Sequence, residues 1–129
     1  MFDTKKLNSF NRITIDTTFN NSILCELGKK FPTNKSPINL GSSRSGFTGV
    51  YNLLFSHFVN KKIMLGEIGI EDNNSIKMWR KFFKKAIIHG FEFDDKKIKK
   101  AEKNNLKKTY YHKINVNSEK SIQKSFKKI

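Results

Sequence analysis

Between residues 61 and 95 the chain reads KKIMLGEIGIEDNNSIKMWRKFFKKAIIHGFEFDD, and its apolar positions change period as it goes. Ile63, Met64 and Leu65, with Ile68 and Ile70, form a short apolar run around Gly66 and Gly69. A run of that length, bounded by turn residues, suits a buried parallel strand. Glu71, Asp72, Asn73 and Asn74 follow with no apolar side chain. Asn tolerates left-handed backbone, so this stretch predicts a turn. Ile76, Trp79 and Phe83 then recur at helical spacing, widened by Met78 and Phe82, while Lys77, Arg80, Lys81, Lys84 and Lys85 fill the other face. The spacing predicts an amphipathic helix with Lys84 and Lys85 in its last turn, where cations suit the dipole. Residues 86–91 read as a second buried strand ending in Glu92, Phe93, Asp94 and Asp95.

This is one βαβ unit, and ligands of such sheets bind outside the carboxyl ends of the strands. The loop of residues 67–74 falls there, and so does Glu92. Glu92 follows Glu67 at close to the roughly 20-residue offset at which a carboxylate meets ribose hydroxyls. A carboxylate accepts two hydrogen bonds from a vicinal diol.

The flanks are less regular. Residues 1–46 read as an irregular segment, in which Phe10, Ile13 and Ile15 alternate briefly. Phe19, Ile23, Leu24 and Leu27 suggest a short helix closed by Gly28 as its C′ residue. Pro32 and Pro37 frame irregular chain, and residues 41–46 form a Gly/Ser loop around Arg44, a candidate substrate loop or a plain connector. Residues 47–59 predict a helix with Val50, Leu53, Leu54, His57 and Phe58 on its apolar stripe, so His57 reads as a core histidine. Residues 96–106 predict a charged, solvated helix, 109–116 a third strand, and 119–128 a helix capped by Ser118 or Asn117.

Several of these segments together resemble a known family. Glu67-Ile68-Gly69-Ile70, Ser75-Ile76-Lys77-Met78-Trp79 and Gly90-Phe91-Glu92-Phe93-Asp94 resemble a class I S-adenosylmethionine-dependent methyltransferase of the sugar, macrolide and polysaccharide O-methyltransferase type. Thr33-Asn34-Lys35-Ser36 and Phe47-Thr48-Gly49-Val50-Tyr51 resemble the segments that precede the first motif there. The resemblance covers residues 31–126. It implies an α/β fold: residues 47–129 as a truncated Rossmann-like domain with a partial parallel sheet of about three strands in the order 3-2-1. It implies S-adenosylmethionine as cofactor, with Glu67, Gly69 and Asn73 around the methionine part, Glu92 on the ribose and Asn115 at the adenine. Asn117 shares that last assignment, and Tyr51 either edges the pocket or is a packed aromatic. The acceptor it implies is a hydroxyl of a saccharide or other small molecule. The family's acidic metal-binding segment has no counterpart here, so the catalytic residues and any metal stay unassigned. The chain reads as an amino-terminal half: either the product of a truncated or partial gene, or a chain whose open sheet edge is completed by self-association or a second polypeptide. The departure from the family pattern is at Glu71, Asp72, Asn73 and Asn74, where glycines are usual.

Composition narrows the alternatives. A chain of 129 residues suits one domain with a modest core. The single cysteine, Cys25, excludes an internal disulfide and fits a cytoplasmic protein, with Cys25 as a packing residue. No apolar run has the length of a membrane span. The net charge of +15 fits a basic binder of nucleic acid or anions, yet only Arg12, Arg44 and Arg80 offer the bidentate fork favoured for phosphates and bases. Lys, Asn and Ile richness is what AT-rich coding produces, and this is the preferred reading of the charge. A nicotinamide enzyme would need G-x-G-x-x-G, which the residues after Gly69 break. Cys25, His57, His89 and His112 show no metal-ligand spacing.

Overall fold

A computed structural model describes residues 21–36, 46–127 and 129. The expectations for Phe10, Ile13, Ile15, Phe19, Pro37, the 41–45 loop with Arg44, and Lys128 fall outside them. The described chain runs α1 (Ile23–Lys30), α2 (Phe47–Phe55), β1 (Met64–Ile68), α3 (Asn74–Phe82), β2 (Ile87–Glu92), α4 (Asp95–Glu102), β3 (Thr109–Lys113) and α5 (Glu119–Phe126). The strands form one parallel sheet in the order β1-β2-β3, which is the expected 3-2-1 order read from the other edge. The α/β fold with a three-stranded parallel sheet is therefore as expected.

One face of the sheet holds the main core. Ile70, Ile76, Met78, Trp79, Phe82, Phe83, Ala86 and Ile88 are buried together with Leu24 of α1 and Ala101 of α4. The stripe Ile76–Trp79–Phe83 thus faces inward as its spacing predicts. The helix itself ends at Phe82, so Lys84 and Lys85 lie in the turn beyond it. Arg80 explains the early stop: its guanidinium donates to the carbonyls of Phe83, Ala86 and Lys107 and closes the turn.

Four other expectations change. Gly28 is inside α1 and buried, not its C′ residue. A Cβ there would stand 2.7 Å from Ser36 Cβ and 3.2 Å from Thr48 Cγ2, so the glycine allows a close approach of segments. The apolar stripe of α2 is rotated: Leu53 and Leu54 are exposed, while Thr48 is buried and Tyr51 and Phe55 pack on Trp79. His57, on a 3-10 turn after α2, is exposed and rests on Phe58. Helix α4 stops at Glu102 because Asn104 donates its amide to the carbonyls of Lys100 and Ala101, and Asn105 then turns left-handed at φ 45°.

Cys25 is buried, and its Sγ accepts from the hydroxyls of Ser22 and Thr48. Among the described residues no helix is long and apolar enough to cross a membrane.

Candidate functional site

The carboxyl ends of all three strands open into one cleft of about 350 Å3. That is toward the small end of the roughly 300–1,000 Å3 usual for ligand pockets. Ile68 and Gly69 line it from the end of β1, Glu92 and Phe93 from the end of β2, and Ile114, Asn115, Val116 and Asn117 from the loop after β3. Ile68, Phe93 and Val116 expose more than half of their surface, at 56%, 62% and 57%. Three large apolar side chains left open around one cleft suit a flat apolar ligand surface between them.

The bend after β1 is built from alternating left-handed residues. Gly69, Glu71 and Asn73 have φ of 80°, 45° and 68°. Asn73 behaves as its residue type predicts; Glu71 is unexpected there. Each of the three donates its backbone N–H to a fixed partner. Gly69 bonds Phe91 O at 2.8 Å, Glu71 bonds Glu92 Oε2 at 3.2 Å, and Asn73 bonds Ile70 O at 2.7 Å. A Cβ on Gly69 would meet nothing within 4 Å, so the glycine answers a backbone requirement and leaves open space beside it. Asp72 Oδ1 then accepts from Asn74 N at 3.0 Å and starts α3.

Glu92 is the electrostatic centre of the cleft. Oε1 accepts the backbone N–H groups of Phe93 and Asp94 at 2.8 and 3.2 Å, and Oε2 accepts that of Glu71. Partial burial pushes its pKa up, but the N–H groups of Asp94, Phe93 and Glu71 and the charge of Lys97 outweigh this and hold it below the ordinary value. A carboxylate has about four acceptor sites, so the three bonds leave one, on Oε2. One ribose hydroxyl fits that site; a second must displace Glu71.

Asn115 stands across the cleft. Its Oδ1 accepts from Asn117 N at 3.0 Å and its backbone N–H donates to Ser121 Oγ at 2.9 Å. Among the described residues no acceptor takes its Nδ2, so this amide is available to donate, and Oδ1 keeps a second lone pair beside the bond from Asn117 N. Ser118 caps α5 by accepting from Ser121 N.

Two of the expected site residues turn elsewhere. Glu67 accepts from Ser75 Oγ and Trp79 Nε1, each at 2.7 Å, and pairs with Lys35 at 3.1 Å. It clamps α3 and the 33–36 segment to β1. Asn73 is buried, and its amide exchanges hydrogen bonds of 2.8 and 3.0 Å with the Tyr111 hydroxyl. The sequence signal for the first clamp was the spacing of Ser75 and Trp79, one helical turn apart on the face toward β1. Tyr51 stacks on Phe47 and Phe55 and is outside the cleft lining.

His89 and His112, which look isolated in sequence, meet on the other face of the sheet with Nδ1 and Nε2 2.8 Å apart. Burial lowers the His89 pKa. Among the described residues no three His, Cys, Asp or Glu side chains gather as a metal site.

No family model, no curated protein and no solved structure matches this chain.

Proposed function

We propose that the chain binds S-adenosylmethionine in the cleft at the strand ends and serves methyl transfer to a hydroxyl of a sugar or another small molecule. The observation that carries this reading is the convergence of Gly69, Glu92 and Asn115, from three separated stretches of sequence, on that one cleft. Glu92 Oε2 accepts from a ribose hydroxyl. Asn115 Nδ2 donates to a ring nitrogen of adenine. Ile68, Phe93 and Val116 cover the faces of the base, and the space beside Gly69 receives the chain of the methionine. Methyl transfer from a sulfonium depends mainly on holding donor and acceptor in line. We place the acceptor beyond the outer edge of β1, where a second copy or another polypeptide supplies its contacts.

Calorimetry tests the reading. S-Adenosylmethionine and S-adenosylhomocysteine are titrated into the wild-type chain, Glu92→Ala and Asn115→Ala. The expected result is binding to the wild type, none to Glu92→Ala, and a loss of roughly tenfold for Asn115→Ala, as one hydrogen bond implies. Asn115→Ala leaves the Glu71 bend intact, so it separates ligand contact from loop damage. No heat with either ligand, beside duplex DNA binding that weakens steeply with salt, replaces this reading with a basic nucleic-acid binder.

A further inference from the structure

The second face of the sheet is covered unevenly. At its carboxyl end α5 lies over it, with Phe126 on Phe91 at 5.1 Å between ring centroids and Ile114 buried nearby. At its amino end Met64, Ile87 and Tyr110 stay open, with 57%, 40% and 53% of their surface exposed. The register places these three on the same face, since Met64 pairs with Ile87 and Tyr110 with His89. Side chains alternate faces along a strand, so Ile87 and His89 share one. Parallel sheets ordinarily bury both faces. The open part floors a cavity of about 500 Å3 whose lining includes Lys62, Lys85 and Lys108 and no acidic side chain. Each lysine lies just ahead of a strand, so three cations stand together at the amino end of an apolar floor.

We infer that this floor seats an amphipathic helix of a partner protein, apolar toward Met64, Ile87 and Tyr110 and carrying Asp or Glu toward Lys62, Lys85 and Lys108. Charge selects the occupant. A second copy carries the same +15, so net charge opposes a face-to-face pair. Residues 1–20 carry Lys5, Lys6 and Arg12 against Asp3 and Asp16, so they offer no complementary charge. An acidic helix satisfies both the apolar floor and the cations beside it. The seat is separate from the cleft and does not depend on the cofactor reading.

The probes are a designed helical peptide with Leu on one face and Glu on the other, and a twin with Lys in place of Glu. Binding is read by fluorescence anisotropy, and the contact surface by amide chemical shifts. The expected result is that the acidic peptide moves the amides of Met64, Ile87 and Tyr110. The Lys62→Glu, Lys85→Glu, Lys108→Glu variant weakens it by about tenfold or more and turns the preference to the Lys twin. Lys120→Glu, Lys124→Glu, Lys127→Glu changes the same number of charges on α5 and its C-cap and leaves the shift pattern in place. Tyr110→Glu, which places a negative charge on the exposed floor, weakens the acidic peptide. The proposal is overturned by equal losses in the two triple variants or by shifts that map away from the floor. Concentration-dependent dimerisation through Met64, Ile87 and Tyr110 would assign the floor to a second copy instead. Binding to anionic vesicles lost in the first triple variant, with no peptide binding, would assign it to a lipid surface.

Discussion

Glu92 Oε2 accepts the backbone N–H of Glu71 at 3.2 Å and so ties the tip of β2 to the bend after β1. The same carboxylate takes the N–H groups of Phe93 and Asp94, and one group therefore reports on two segments. Although desolvation pushes its pKa up, the Asp94, Phe93 and Glu71 N–H groups and Lys97 bring it below its ordinary 4.5. A folded carboxyl that is more acidic than the unfolded one adds stability above pH 4.5, and that stability is lost as pH falls through the folded value. The amide shifts of Glu71, Phe93 and Asp94 are expected to titrate together, with one midpoint below 4.5. Separate midpoints, or a common one above the ordinary value, would show that the carboxylate does not hold the bend.

Asn73 and Tyr111 hold each other through two hydrogen bonds while Asn73 keeps φ at 68°. Asn73→Ala loses two bonds of about 1 kcal/mol each and adds a left-handed penalty of about 1 kcal/mol, for a total near 3 kcal/mol. Asn73→Gly recovers the backbone part, about 1 kcal/mol. Tyr111→Phe strands a buried amide and costs about 1–3 kcal/mol. Urea unfolding of the three variants checks the order; equal loss for Ala and Gly would mean the backbone contributes nothing.

Glu67 is the acceptor for Trp79 Nε1 and Ser75 Oγ, and Trp79 is the single tryptophan of the chain. Its fluorescence therefore follows this clamp directly. Glu67→Ala leaves two donors and Lys35 without their acceptor and is expected to cost about 3 kcal/mol. Glu67→Gln keeps one acceptor oxygen and is expected to cost roughly half as much. The same urea midpoint for both variants would remove the hydrogen bonds from the account.

Gly28→Ala tests the contact between α1 and the 33–36 segment. In an open helix the change would gain about 1 kcal/mol. Here the new methyl group meets Ser36 Cβ at 2.7 Å, and overpacking of about 1–3 kcal/mol outweighs the gain. Thermal unfolding is expected to show a lower midpoint for Gly28→Ala, partly restored by adding Ser36→Gly. A raised midpoint in the single variant would mean that the segment simply moves aside.

The βαβ unit was legible because its signals are local. The apolar run at 63–70 marks β1, although Met64 and Ile68 are exposed there and not buried as expected. The polar turn at 71–74 and the stripe of Ile76, Trp79 and Phe83 follow from turn chemistry and period. Gly69, Glu92 and Asn115 could be placed at strand ends for the same reason. Glu67 and Asn73 could not be resolved, because residue type does not say which way a polar side chain turns. Tyr111 is far from Asn73 in sequence, and of Glu67's partners Lys35 is far away, while Ser75 and Trp79 are near and left only their spacing as a signal. The rotated stripe of α2 was hidden similarly: Leu53 and Leu54 satisfy a helical period, but the shape of Gly28, Thr48 and Trp79 decides which face packs. Residues with left-handed backbone were half legible, at Asn73 but not at Glu71.

The alternation of Gly69, Glu71 and Asn73 makes the bend a counting device. Every second residue must reverse its handedness, and each reversed residue has its own docking point on Phe91, Glu92 or Ile70. Replacing a side chain leaves the count intact, whereas removing one residue puts the wrong amides at the docking points. Deletion of Asp72, which is not part of the cleft lining, should break the Asn73 N–H bond to Ile70 O and the Asn73–Tyr111 pair while the strands stay paired. The bend is thus expected to tolerate changes of spelling far better than changes of length.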